Sequence, residues 1–145
     1  MPITRPILVW INFVGGGTAG HSPADATTYT FGISSQIGPL TSDGVYFPMP
    51  TRPGVVRRAR VQALVTGTLA SAGSTTVRVR NATSTVEEEV SPSLAMTAVS
   101  NAVSNDAMSL PIAAGDAINI EFTTPTWATN PTAVFYNATI EVELY

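Results

Sequence analysis

Along most of this chain apolar and polar residues alternate with a period of two, which sends one row of side chains into a core and the other into water. Residues 109–122, SLPIAAGDAINIEF, show it most compactly. Ile118, Ile120 and Phe122 alternate with Asn119 and Glu121, and Ala113-Ala114-Gly115-Asp116 supplies a tight turn out of a short strand over 108–112. The chain closes on its most regular strand, with Val134, Tyr136, Ala138, Ile140, Val142 and Leu144 inward and Asn137, Thr139, Glu141 and Glu143 outward. Such a strand is expected at the centre of a sheet.

Further strands are expected on the same grounds. Tyr29, Phe31 and Ile33 alternate with Thr28, Thr30 and Gly32, and Val45-Tyr46-Phe47 makes a short strand ended by Pro48, Pro50 and Pro53. Residues 54–68 form the longest, with Ala59, Val61, Ala63 and Val65 inward and Arg58, Arg60, Gln62 and Leu64 outward. Residues 75–80 and 85–90 make a hairpin around Asn81-Ala82-Thr83-Ser84, placing Val79 opposite Val86 and Arg78 opposite Glu87 as a cross-strand ion pair. Glu88 then falls opposite Val77 on the core face, so the ladder is expected to end or bulge there. Ser91-Pro92 breaks the strand, and 94–104 fits no period cleanly and reads as irregular strand. About eight strands with turn punctuation and no amphipathic helix specify an all-β, antiparallel β-sandwich, jelly-roll-like in outline.

The first 26 residues read as an extended arm ahead of a sandwich domain over 27–145. Ile7, Leu8, Val9, Trp10, Ile11 and Phe13 lie in one apolar run that three glycines follow. A strand on a glycine-rich tether either joins its own sandwich or adds to a neighbour's open edge, and the tether is long enough for the second. A secretory signal fits less well, since Arg5 is a lone basic charge and Asn12 interrupts the run. The run is also shorter than a membrane span requires.

Composition removes several chemistries. The 145 residues contain no cysteine and no lysine, which excludes thiolate nucleophiles, cysteine metal sites and Schiff-base chemistry. A net charge of -3 with no basic cluster gives no footprint for nucleic acid. Charged residues are 12% of the chain, about half the usual share, as suits a surface partly covered by other subunits.

The remaining candidates have plain structural readings. His21, the only histidine, sits in the tether and reads as solvated, so it lacks the rigid setting that acid–base work needs. The i,i+2 pairs Glu87/Glu89 and Glu141/Glu143 read as solvated faces or ion-pair partners, without the apolar pocket that a glycosidase acid requires. Asp43 and Asp116 read as turn residues, and Trp127 reads as packed under its own proline-rich loop, with a platform for a sugar, together with Tyr46 or Tyr136, as the alternative. No enzyme, cofactor, metal or small-molecule substrate is expected.

The chain from 27 to 145 resembles the jelly-roll modules of tailed-bacteriophage virions, on RRARVQALVTGTLASAGSTTVRVRNATSTVEEEV (57–90) and SLPIAAGDAINIEF (109–122). In outline it is also similar to the tumour-necrosis-factor-like family. The resemblance implies a charge-poor surface and trimeric assembly. With an arm in place of a fibrous shaft, it implies a capsid decoration (cement) protein that sits on the outer capsid surface as a homotrimer and stabilises the shell through intersubunit contacts of the arm residues Ile7, Leu8, Val9, Trp10, Ile11 and Phe13, whose strand is expected to pair with another chain. Its partners would be itself and the major capsid protein, with neither nucleic acid nor membrane. The alternative is a receptor- or carbohydrate-binding tail-fibre or adhesin module using Trp127.

Overall fold

The computed structural model describes residues 5–16, 20–31, 47–48 and 51–145. Ten strands lie among them: β1 (Ile7–Gly15), β2 (Thr28–Phe31), β3 (Phe47–Pro48), β4 (Gly54–Thr66), β5 (Thr75–Asn81), β6 (Glu87–Leu94), β7 (Ser100–Asn105), β8 (Leu110–Ile112), β9 (Ala117–Thr123) and β10 (Ala133–Leu144). One sheet runs β1-β10-β4-β7 with β8 also on β4, and the other runs β2-β9-β5-β6 with β3 also on β9. Every pairing is antiparallel. The result is the expected all-β sandwich, jelly-roll-like in form.

The inward rows meet between the sheets. Ala59, Val61, Ala63 and Val65 of β4 and Val134, Tyr136, Ala138, Ile140 and Val142 of β10 are all buried, facing Val77 and Val79 of β5 and Ile118, Ile120 and Phe122 of β9. At one end the filling is aromatic: the Tyr136 ring stacks on Phe122 at 4.5 Å and on Phe31 at 5.5 Å between centroids. Such pairs add about 0.5–1.5 kcal/mol each beyond the area they bury. Of the first strand of the main body, Tyr29 and Phe31 point inward as expected. Ile33, Asp43, Val45 and Tyr46 lie outside the described residues.

The N-terminal strand departs from expectation. Within the chain β1 is bonded to its own sheet, pairing with β10 in unbroken register from Ile7 opposite Leu144 to Gly15 opposite Tyr136. The reason is the second row of its pattern: Phe13 is fully buried and Ile11 nearly so, completing a core that β10 alone leaves open. Gly15 and Gly16 permit the close approach. A Cβ on Gly16, whose φ is +105°, would sit 2.7 Å from the Val134 carbonyl oxygen. The apolar run is therefore an edge strand of the sandwich, not a segment standing clear of it.

The β5–β6 hairpin closes one residue later than its sequence suggests. Asn81 N–H donates to the Val86 carbonyl at 2.8 Å, and Arg78 faces Glu89, Val79 faces Glu88 and Arg80 faces Glu87. The Asn81 side chain builds the turn, accepting from Thr83 N and Ser84 N at 3.1 Å each, and Thr85 takes a left-handed φ of 62°. The bulge expected near Val77 is present, with register shifts on either side of that residue. Glu88 avoids the core by turning its carboxylate to Ser109 N, 2.9 Å away. Pro92 does not end β6, because β6 is an edge strand where a missing N–H costs no ladder bond. The irregular stretch resolves into the end of β6, a turn and β7, with Leu94 and Met96 buried beneath it.

Candidate interaction surface

The sheet β1-β10-β4-β7 turns one face to solvent, and its side chains are set by strand parity. From β1 come Leu8, Trp10 and Val14, all exposed, Trp10 by 58%. Register aligns Trp10, Glu141 and Arg58 in one row across the strands and Asn12, Thr139 and Arg60 in the next. Arg58 Nε lies 3.7 Å from the buried Glu141 carboxylate, and Thr139 Oγ1 and Asn12 Oδ1 are hydrogen-bonded at 2.8 Å. Between these rows the surface sinks.

Three depressions of about 420, 150 and 300 Å³ follow one another along β10 and β4, and neighbours share residues. The first holds Trp10, Arg60 and Asp106, and the last holds Val14, Leu64 and Phe135. Gln62, Asn137 and Thr139 form the floor between.

Among the described residues β1 also leaves one edge open. It pairs there with β10 on one side only, and its nine residues, ILVWINFVG, carry no charge, no proline and no bulge. Proteins commonly use those devices to keep an exposed strand edge from pairing with another chain. Of the six residues read as an intersubunit arm, Ile7, Leu8 and Trp10 are exposed, Val9 is half-buried, and Ile11 and Phe13 are committed to the core.

The other sheet carries a charge cluster on its outer face. Arg78 Nε lies 3.3 Å from Glu87 Oε1 and its Nη1 lies 3.6 Å from Glu121 Oε1, while Arg80 Nη1 lies 3.7 Å from Glu121 Oε2. The Arg78–Glu87 pair thus forms, diagonally and not directly across the ladder. Glu121 is buried, and that burial, helped by the neighbouring Glu87 charge, raises its pKa against the lowering pull of both arginines.

One residue occupies a position the sequence does not suggest, and a second takes its plainer reading. His21 is pinned, not solvated: its backbone makes two 2.8 Å hydrogen bonds with Val134, and its ring meets Tyr29 edge-on at 4.5 Å. Burial lowers its pKa to about 4, and its Nε2 is buried without a partner. Trp127 is 5% exposed. Its backbone N–H donates to Asp25 Oδ1 at 3.1 Å and the ring lies near Gly73, so it offers no open face to a sugar, and Tyr136 is equally enclosed. Among the described residues no group of three or more His, Cys, Asp or Glu is arranged to hold a metal ion. The exposed tryptophan is Trp10, hidden from sequence reasoning inside an apolar run whose alternation alone distinguishes its outward members.

No known protein-family profile matches the chain, and no curated protein matches it either. Solved structures do. A chain of the cyanophage Pam1 capsid asymmetric unit has 12% identity and a TM-score of 0.53, with 100% of each chain covered. The globular domain of zebrafish complement 1qA protein has 17% identity and a TM-score of 0.48, covering 98% of this chain and 98% of that one. A chain of the acidic stable capsid structure of Helicobacter pylori bacteriophage KHP30 has 13% identity and a TM-score of 0.38, covering 97% of this chain and 89% of that one. At these identities the first likeness speaks to the fold, and it extends over the whole chain.

Proposed function

We propose that this chain is a structural component of a phage capsid, a decoration protein that sits on the outer shell as a homotrimer and binds the major capsid protein. The observation that carries the reading is β1, a nine-residue strand that among the described residues is paired on one side only, with none of the usual protection in its sequence and with Ile7 and Leu8 exposed at its start. An open edge of that kind is completed by a strand from another chain, whose backbone supplies the missing hydrogen bonds. Head-to-tail contacts between unlike surfaces close into rings, and a trimer is one such ring. Repetition over a lattice then multiplies a modest contact into strong retention. The end-to-end fold likeness to a chain of the Pam1 capsid asymmetric unit supports the same reading. The scarcity of charge, 12% of residues, suits a surface that other subunits cover.

Deleting the strand is a poor test, because Ile11 and Phe13 would leave the core with it. The double variant Ile7→Lys/Leu8→Lys charges the exposed end and spares both. Wild type is expected to sediment as a trimer and to co-sediment with capsids assembled without it. The variant is expected to keep its thermal midpoint and lose both associations. A wild type that stays monomeric at every concentration overturns the trimer, and a variant that binds capsids as well as wild type overturns the role of β1.

A further inference from the structure

The depressions on the outer face of β1-β10-β4-β7 form one trough about 20 Å long, taking six residue rises along β10 from the level of Trp10 to Phe135. Its polar groups have unspent hydrogen-bonding capacity. The side chains of Arg60, Asp106 and Asn137 make no hydrogen bond or ion pair with other described residues. Arg58 is offset by Glu141, and Arg60 and Asp106 line the same hollow, so its formal charges cancel.

The arrangement suits a particular ligand chemistry. Interface cores between proteins are contiguous, apolar and poor in charge. Here the apolar groups stand at the two ends, Trp10 at one and Leu64 at the other, with a floor of guanidinium, amide and hydroxyl groups between them. A ligand matching this order must be elongated, uncharged and dense in groups that both donate and accept hydrogen bonds, with an apolar ring face for the indole. We infer that the trough binds a neutral, linear oligosaccharide, one ring stacked on Trp10 and its hydroxyls shared between Arg60 and Asp106. The next units lie over Thr139, Asn137 and Gln62. This site does not rest on the capsid reading, since it uses the face of the sheet and not the edge of β1.

The indole supplies the readout. The chain has two tryptophans, and Trp127 is buried, so quenching of fluorescence by acrylamide reports chiefly on Trp10. Full-length protein is titrated with maltotetraose, cellotetraose, chitotetraose and mannotetraose, with tetragalacturonate as the charged control. At least one neutral tetrasaccharide is expected to protect Trp10 saturably. Trp10→Phe and Arg60→Ala are each expected to weaken that binding at least tenfold, followed by calorimetry, while thermal midpoints stay at the wild-type value. The inference is overturned if no neutral tetrasaccharide binds, if tetragalacturonate alone binds, or if both variants bind as wild type does. Protection of Trp10 that rises with protein concentration in the absence of sugar, and that persists in Ile7→Lys/Leu8→Lys, assigns the trough to a second copy of the chain and overturns it equally. The sugar-binding outcomes leave trimer formation and capsid binding untouched.

Discussion

Asn81 Nδ2 donates to Asp116 Oδ2 at 2.6 Å, tying the β5–β6 turn to the β8–β9 turn across 35 residues of sequence. The same carboxylate oxygen accepts from Ala113 N at 2.8 Å, and Thr83 Oγ1 accepts from Ala117 N at 2.9 Å. Two turns that each look self-contained are thus one interlocked corner. Asn81→Ala removes the donor to Asp116 and the acceptor for two turn amides, and losses of buried, charge-assisted bonds run to about 2–3 kcal/mol. Chemical denaturation is expected to show a loss of that size. Asp116→Ala should cost less when added to Asn81→Ala than alone, and strict additivity in the double-mutant cycle would show the two turns to be independent.

His21 makes stability depend on pH. Its folded pKa is about 4 against an ordinary 6.5, so between those values the unfolded chain binds the extra proton. The stability contributed by the neutral ring is complete above 6.5 and drains away as pH falls toward 4. Full linkage over that interval is at most about 3 kcal/mol, and partial exposure of the ring reduces it to about 1–2 kcal/mol. Denaturation midpoints at pH 7.5 and 4.5 are expected to differ in wild type and to converge in His21→Phe, once the slope shared by the carboxylates is subtracted using a common reference variant.

Glu121 titrates above the usual carboxylate range, first because it is buried and next because Glu87 is beside it. Replacing Glu87 by Gln removes the second cause and leaves Arg78 and Arg80 in place. Carboxyl-carbon NMR is expected to show Glu121 titrating at lower pH in Glu87→Gln, and an unchanged titration would mean burial acts alone.

Membership of β1 in the sandwich is tested by contrast along one strand. Phe13→Ala empties a fully buried position and is expected to cost about 3–5 kcal/mol. Leu8→Ala, at a residue 58% exposed, is expected to stay within about 0.5 kcal/mol of wild type. Equal, small effects at both positions would mean that β1 does not fold with the rest.

Much of this was legible in the sequence because period-two alternation is a local property. The inward rows of β4, β9 and β10, the central place of β10 and the bulge near Val77 all follow from it. What the pattern withholds is the identity of a strand's neighbour. Ile11 and Phe13 would satisfy any open edge, and only the gap beside β10 in three dimensions chooses their own sheet. The hairpin register slipped because the side chain of Asn81, and not its backbone alone, sets where the turn begins. Trp127 packs beneath its own loop as the plainer reading has it, enclosed by Asp25 and Gly73. Trp10 is hidden in an apolar run, and only strand parity turns it outward.

β10 stands between β1 and β4, and it is the latest strand of the sheet in chain order. Until its dozen residues are made, the strands on either side of it have no common partner, and β1 has no strand to pair with. β1 must therefore wait for β10, whereas β4 already has β7 and β8 beside it. Joining β1 to its sheet is thus a step that follows the synthesis of β10, whatever order the other strands take.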